Sequence, residues 1–201
     1  MPNEADTATA YLGLGSNLGD RLAALRAAVF AMDSHPQIRV DFETGTASLY
    51  ETAPVGGPSD QGPFFNSAVR VTTTLTPMEL LRTVLSIEES SGRVRRQRWE
   101  ARVIDIDLLL YEDLATDDRA PSVPHPRLHK RRFVLEPLAE IACDIIHPVL
   151  KLTIADLARR CRAGEPAEWV VLVGGPRWPF ETPAAARNSP VMGPSSREES
   201  G

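Results

Sequence analysis

Residues 102–111, RVIDIDLLLY, constrain the fold more than any other stretch of the chain. In an extended strand, alternate side chains share a face. Asp105 and Asp107 therefore project together, while Ile104, Ile106 and Leu108 project the opposite way. The apolar face needs a packed layer. The acidic face needs something to pair its carboxylates, because unpaired buried charge is costly. Mg²⁺ suits that role, since it prefers carboxylate oxygen and keeps coordination positions open for phosphate. Just upstream, Arg93, Arg95, Arg96, Arg98 and Arg102 crowd a short loop around Trp99. Guanidinium groups there are suited to the remaining phosphate oxygens. Together these features read as metal-assisted transfer on a polyphosphate. Two other readings compete: a structural ion network in which the same arginines pair the aspartates, and a basic nucleic-acid patch.

The net charge of −5 makes the arginine cluster a local feature of an acidic protein. That weighs against a nucleic-acid partner, which usually requires a domain-wide basic surface. The length, 201 residues, fits one domain with an appendage and is enough to bury a core. Cys143 and Cys161 lack metal-ligand spacing, which argues against zinc or a disulfide framework and fits a reducing cytosol. No apolar run approaches the ~20 residues of a membrane span. The N-terminal MPNEADTAT is too acidic and polar for a signal peptide. A soluble cytoplasmic protein is expected, with no membrane partner.

Residues 9–15, TAYLGLG, read as a strand, and GSNLGD as its turn into a helix. Gly13 and Gly15 begin like a dinucleotide fingerprint, but Gly19 falls one place late. Leu18, Leu22, Leu25, Val29 and Met32 predict an amphipathic helix that stops before His35-Pro36. One strand is expected within residues 38–50. Residues 51–63, ETAPVGGPSDQGP, form a loop longer than the usual ~4–6-residue connection, which points to function. FFNSAVRVTTT reads as a strand with Phe64 and Asn66 on one face and Phe65, Val69 and Val71 on the other; an edge strand with an ordinary aromatic fits it equally. Thr76-Pro77-Met78-Glu79 is a capping box opening a helix that runs to about Ser91, before Gly92. Leu81, Leu85 and Glu88 form a stripe along that helix. His125 and His129 are spaced like a helical metal pair, but Pro124 and Pro126 oppose a helix and the zinc ligand set is incomplete. Helices over 133–141 and 153–161, a short strand over 168–173 and a disordered Pro/Ser/Glu-rich tail complete the reading. The order β-α-β-β-α-β over residues 9–111 predicts an α+β, ferredoxin-like sandwich with additional C-terminal helices.

Several segments together resemble one family. YLGLGSNLGDR, Y-E-T-x-P-V-G-G-P-x-D-Q, F-F-N, I-E-x-x-x-G-R-x-R-x-x-R-W, R-x-I-D-I-D-L-L-L-Y and V-P-H-P-R-L-H-x-R-x-F-V-L-x-P-L, in that order, are similar to hydroxymethyldihydropterin pyrophosphokinase of the folate pathway. The resemblance covers about residues 10–160. It implies transfer of the β,γ-diphosphate of ATP to 6-hydroxymethyl-7,8-dihydropterin, with release of AMP. With the composition of the C-terminal stretch, it divides the chain into a pyrophosphokinase domain over 1–164, a short extension over 165–183 and an expected disordered tail over 184–201.

Carried over by motif, Asp105 and Asp107 would ligate two Mg²⁺ ions. Arg93 and Arg95 would sit on a catalytic loop that closes over the phosphates. Glu88, Arg98, Trp99, Arg102, Ser122, His125 and Arg131 would hold ATP. Phe64 and Phe133 would stack on the pterin. Asn66 would read its donor–acceptor edge, completed by backbone groups of Thr52, Ala53, Pro54 and Val55. Association with other folate-pathway enzymes stays open.

Three positions depart from the family pattern. Trp99-Glu100-Ala101-Arg102 stands where members often have Trp-Gly-Pro-Arg, which adds a carboxylate beside the arginines. Leu85 replaces an amide side chain near the adenine, and Ala53 a frequent proline. A pterin-binding paralogue without turnover is a further alternative, opposed by the presence of both aspartates and the loop arginines. A single-strand nucleic-acid binder would need aromatics on its central strands, where this chain places carboxylates.

Overall fold

The computed structural model describes residues 7–55, 61–91, 102–116, 120–164, 169–181 and 183. Its elements are β1 (Ala8–Ser16), α1 (Arg21–Asp33), β2 (Ile38–Val40), β3 (Leu49–Thr52), β4 (Phe64–Thr73), α2 (Pro77–Ser90), β5 (Asp105–Tyr111), α3 (Arg132–Ala142), α4 (Ile154–Gly164) and β6 (Val170–Gly174). The six strands form one sheet in the order β5-β1-β4-β3-β6, with β2 also on β4, and every pairing is antiparallel. The expected ferredoxin-like core is present. β4 lies inside the sheet, so the edge-strand reading of FFNSAVRVTTT fails. No helix among the described residues is long and apolar enough to cross a membrane.

The helix boundaries follow local chemistry. Asp20 caps α1 by accepting from the Ala23 amide, and Gly19 supplies the positive φ of the preceding turn. Thr76 and Glu79 form both halves of the capping box on α2. Thr153 accepts from the Asp156 amide at the start of α4.

The single strand expected over 38–50 is two strands. Between them, the Asp41 carboxylate accepts the amides of Glu43 and Thr44 at 3.0 and 2.9 Å and pairs with Arg70. This self-capped turn carries the chain away from the ladder before Thr46 rejoins Val69.

Helices cover both sheet faces. Leu22, Leu25, Val29 and Met32 of α1 and Leu80 and Val84 of α2 pack on Ala10, Leu12, Leu14, Ile106 and Leu108. On the other face, Leu135 and Leu138 of α3 and Leu157 of α4 pack on Tyr11, Leu109 and Leu110. Leu109 and Leu110 share that face because the β1–β5 register shifts between Tyr11 and Leu12. A bulge of this kind breaks the alternation that the sequence predicts.

The stretch read as an extension returns to the sheet. β6 pairs with β3, and Trp178 is 1% exposed inside the first core cluster. Its indole donates to the Ala47 carbonyl at 2.9 Å. Residues 184–201, the expected tail, lie outside the described residues.

Candidate active site

The site begins with a row across the sheet. Asp105 on β5 faces Gly15 on β1, which faces Asn66 on β4; Asp107 faces Gly13 in the same way. Strands lie ~4.8 Å apart, so Asp105 and Asn66 are separated by roughly two strand spacings with a glycine between them. The glycines leave that face open. A Cβ on Gly15 would lie 3.0 Å from Asn66 Oδ1, and one on Gly13 would lie 3.3 Å from Leu109.

Two recesses meet at the aspartates. The first, about 350 Å³, is walled by Thr52, Ala53, Val55, Phe64, Asn66 and Phe133. These are six of the seven residues expected to bind pterin; Pro54 is not on its wall. The second, about 320 Å³, is walled by Leu81, Leu85, Glu88 and Ser122. Arg102, Asp105, Asp107 and His125 line both, and Arg131 lines the first. Arg93, Arg95, Arg98 and Trp99 lie outside the described residues.

The charges are arranged around the carboxylate pair. Arg102 bridges to Asp105 at 2.6 Å. Arg131 donates to Asp107 at 3.4 Å, and His125 Nε2 stands 3.8 Å from the same oxygen. The arginine–aspartate contacts of the ion-network reading are therefore present. They are incomplete compensation. Burial, and then the like charge of Asp105, push the Asp107 carboxyl above the usual carboxylate range despite His125 and the arginines. Burial also lowers the His125 imidazole, with Asp107 opposing, which favours its neutral form. Such a carboxylate pair fits a cation. Among the described residues, no cluster of three or more His, Cys, Asp and Glu is placed to hold a metal by itself. The donor set thus fits Mg²⁺ completed by water and substrate phosphate, as that ion is commonly held.

Glu88 has a structural duty. It is 1% exposed, and its Oε1 accepts the Ile106 amide at 2.7 Å, fastening α2 to the backbone between the two aspartates. The core face of α2 is accordingly Leu80, Val84 and Glu88, while Leu81 and Leu85 wall the second recess.

On the other side, Asn66 Nδ2 donates to Thr52 Oγ1 at 2.7 Å, which fixes the amide plane. The Ala53 amide donates to the Trp169 carbonyl at 3.1 Å. The Ala53 N–H is thereby engaged within the sheet, while the residue still lines the recess. Arg131 lies 5.6 Å from the Phe133 ring centroid, within reach of its face.

Sequence reasoning missed Gly13 and Gly15 as site residues, and also Gln61, Arg127 and Lys130 on the first recess. For the glycines a signal existed: Tyr11, Gly13 and Gly15 alternate along one face of β1, and two absent side chains on a buried strand mark a close approach. His125 and His129 diverge, one toward Asp107 and the other toward the His147 ring at 6.5 Å.

Residues 11–143 match the family model for 7,8-dihydro-6-hydroxymethylpterin-pyrophosphokinase. The chain belongs to this pyrophosphokinase family. The 2-amino-4-hydroxy-6-hydroxymethyldihydropteridine pyrophosphokinase of Methylorubrum extorquens is 49% identical over 68% of this chain and 84% of its own length. The Bacillus subtilis protein of the same description is 46% identical over 68% of this chain and 79% of its own. A Plasmodium falciparum HPPK-DHPS crystal structure superposes with a TM-score of 0.62 at 17% identity, covering 80% of this chain and 45% of that one. At that identity it speaks for the fold alone, and this chain spans under half of that protein.

In a pyrophosphokinase of this build, Gly15→Ala should press on an Asn66 amide that Thr52 prevents from moving aside. Pterin KM is expected to rise about tenfold, as for a displaced buried hydrogen-bonding group, with ATP KM nearly unchanged. Steady-state kinetics in each substrate checks this. Equal pterin KM values would show that Asn66 yields freely.

Proposed function

We propose that this chain transfers the β,γ-diphosphate of ATP to the hydroxymethyl group of 6-hydroxymethyl-7,8-dihydropterin, releasing AMP, in tetrahydrofolate biosynthesis. Family membership gives the reaction class, a folate-pathway pyrophosphokinase. The observation that best supports the reading is that two recesses of different character meet at one carboxylate pair.

The first recess takes the pterin. Phe64 and Phe133 offer flat apolar faces, and the fixed Asn66 amide offers a donor and an acceptor to the ring edge. The second recess takes the nucleotide. Ser122, Arg102 and the Glu88-braced wall line its side, and His125 and Arg131 meet the phosphates. A neutral His125 donates one hydrogen bond there without adding charge. Asp105 and Asp107 would hold two Mg²⁺ ions, which would supply charge neutralisation and Lewis-acid polarisation to the phosphates. Arg93 and Arg95 are assigned as catalytic residues, and Arg98 and Trp99 as ATP-binding residues, on the strength of the family motif. Cytoplasmic location and contact with other folate-pathway enzymes belong to the same reading.

The product decides this assignment. Attack at the β phosphorus releases AMP, whereas an ordinary kinase releases ADP. AMP is expected only when ATP, Mg²⁺ and the hydroxymethylpterin are all present, as resolved by nucleotide chromatography. ADP as main product, or AMP without the pterin, would refute it.

A further inference from the structure

Arg21 is out of place for a helix-stabilising residue. It is the first residue of α1, where the helix dipole disfavours positive charge. It is also only 6% exposed. Its contacts lie elsewhere. One guanidinium nitrogen donates to the Pro63 carbonyl at 2.7 Å, and the other donates to Glu51 Oε1 at 2.9 Å. The guanidinium carbon stands 3.8 Å above the Phe65 ring centroid, so the stacked ring fixes the plane of the fork.

Glu51 and Pro63 flank the 52–62 segment. Thr52 and Ala53 follow the first, Phe64 and Asn66 follow the second, and all four line the first recess. Arg21, Glu51, Pro63 and Phe65 do not line it; they lie behind it. A single buried group thus ties together the paired ends of β3 and β4, from which one wall of the recess rises. A planar fork with two separate donors can do this; an ammonium on a flexible stem cannot hold both acceptors in one plane.

We propose that Arg21 is a positioning residue that fixes the β3–β4 wall of the pterin recess by clamping its two feet, Glu51 and Pro63. The proposal rests on the pterin assignment of that recess. Arg21→Lys keeps the charge and loses the fork; Glu51→Gln keeps an acceptor and loses the charge pairing. In Arg21→Lys, loss of one charge-assisted bond should weaken pterin binding by about tenfold. Glu51→Gln should move it the same way by less. ATP binding should stay within about twofold in both, because the nucleotide recess shares none of these contacts.

Calorimetric titration of each ligand, with hydrogen exchange at the amides of Ala53, Val55, Gln61 and Gly62, tests the clamp. Selective loss of pterin affinity with faster exchange at both feet supports it. A folded Arg21→Lys protein with unchanged pterin affinity and exchange overturns it, as does equal weakening of both ligands. If Arg21→Lys does not fold, Glu51→Gln decides by the same criteria. If the wild-type protein binds no pterin, the recess assignment fails; the exchange measurement then tests the clamp alone, and unchanged exchange overturns it.

Discussion

Asp107→Asn should lower turnover by about three orders of magnitude, as expected for loss of several kcal/mol of metal-borne charge stabilisation. It should leave the metal-free protein at least as heat-stable as wild type. The second half of that expectation separates a ligand from a structural ion pair. Burial and Asp105 raise the Asp107 carboxyl above its ordinary value in the folded state. A raised folded pKa means that ionisation disfavours folding. The corresponding stability is present at acid pH and is lost as pH rises through the folded pKa. At neutral pH the charge is therefore a burden until a cation is bound, and the neutral amide removes it. Loss of the 3.4 Å contact from Arg131 works the other way, but that bond is long. Thermal melts with and without Mg²⁺ and a non-hydrolysable ATP analogue check this. The variant should lose the ligand-induced rise in Tm seen in wild type. A sharp drop in metal-free Tm would mean that Asp107 serves mainly as an ion-pair partner, and near wild-type turnover would remove it from the metal site.

Ending the chain after Gly164 should lower Tm by more than about 10 °C, since removal of a buried Trp alone costs ~3–5 kcal/mol and each kcal/mol shifts a domain of this size by ~2–4 °C. The removed segment covers the edge of β3 with β6. It also carries Trp178, whose carbonyl accepts from Arg26 Nε at 3.0 Å. Phe180 packs edge-on against Phe42 and Phe30, with ring centroids 5.0 and 5.7 Å away. The cut would free the Ala53 amide from Trp169 as well, so residual folded protein should bind pterin less well. Ending the chain after Pro183 preserves all these contacts and should change Tm by no more than about 2 °C, as expected from a Pro- and Ser-rich sequence without a core-forming pattern. Circular dichroism melts of the two truncations, with Trp178→Ala as the mildest probe, make the comparison. Equal melting of both truncations would show that β6 and Trp178 contribute nothing to the fold.

Much of this architecture is local in origin and was legible in the chain. The capping box at Thr76 and Glu79, three-and-four spacing in α1 and alternation in β4 and β5 depend on neighbours a few residues apart. The carboxylate pair at Asp105 and Asp107 was legible for the same reason, because alternation on one strand puts both on one face. Of the residues that the family motifs single out, those among the described residues, Pro54 apart, line one or other of two adjoining recesses.

What the tertiary structure decided depends on partners far away in sequence. Asp41 splits the expected strand because Arg70, on another strand, holds its carboxylate. Leu110 leaves the face that alternation assigns it because the β1 register slips opposite it. Glu88 turns inward because an amide of β5 awaits it. Gly15 matters because Asn66, fifty-one places along the chain, lies against it. Trp178 reads as part of a Pro-rich extension until β6 pairs with β3 and places the indole over the Ala47 carbonyl. Periodicity records which way a side chain points relative to its own backbone; only the folded chain determines what it meets there.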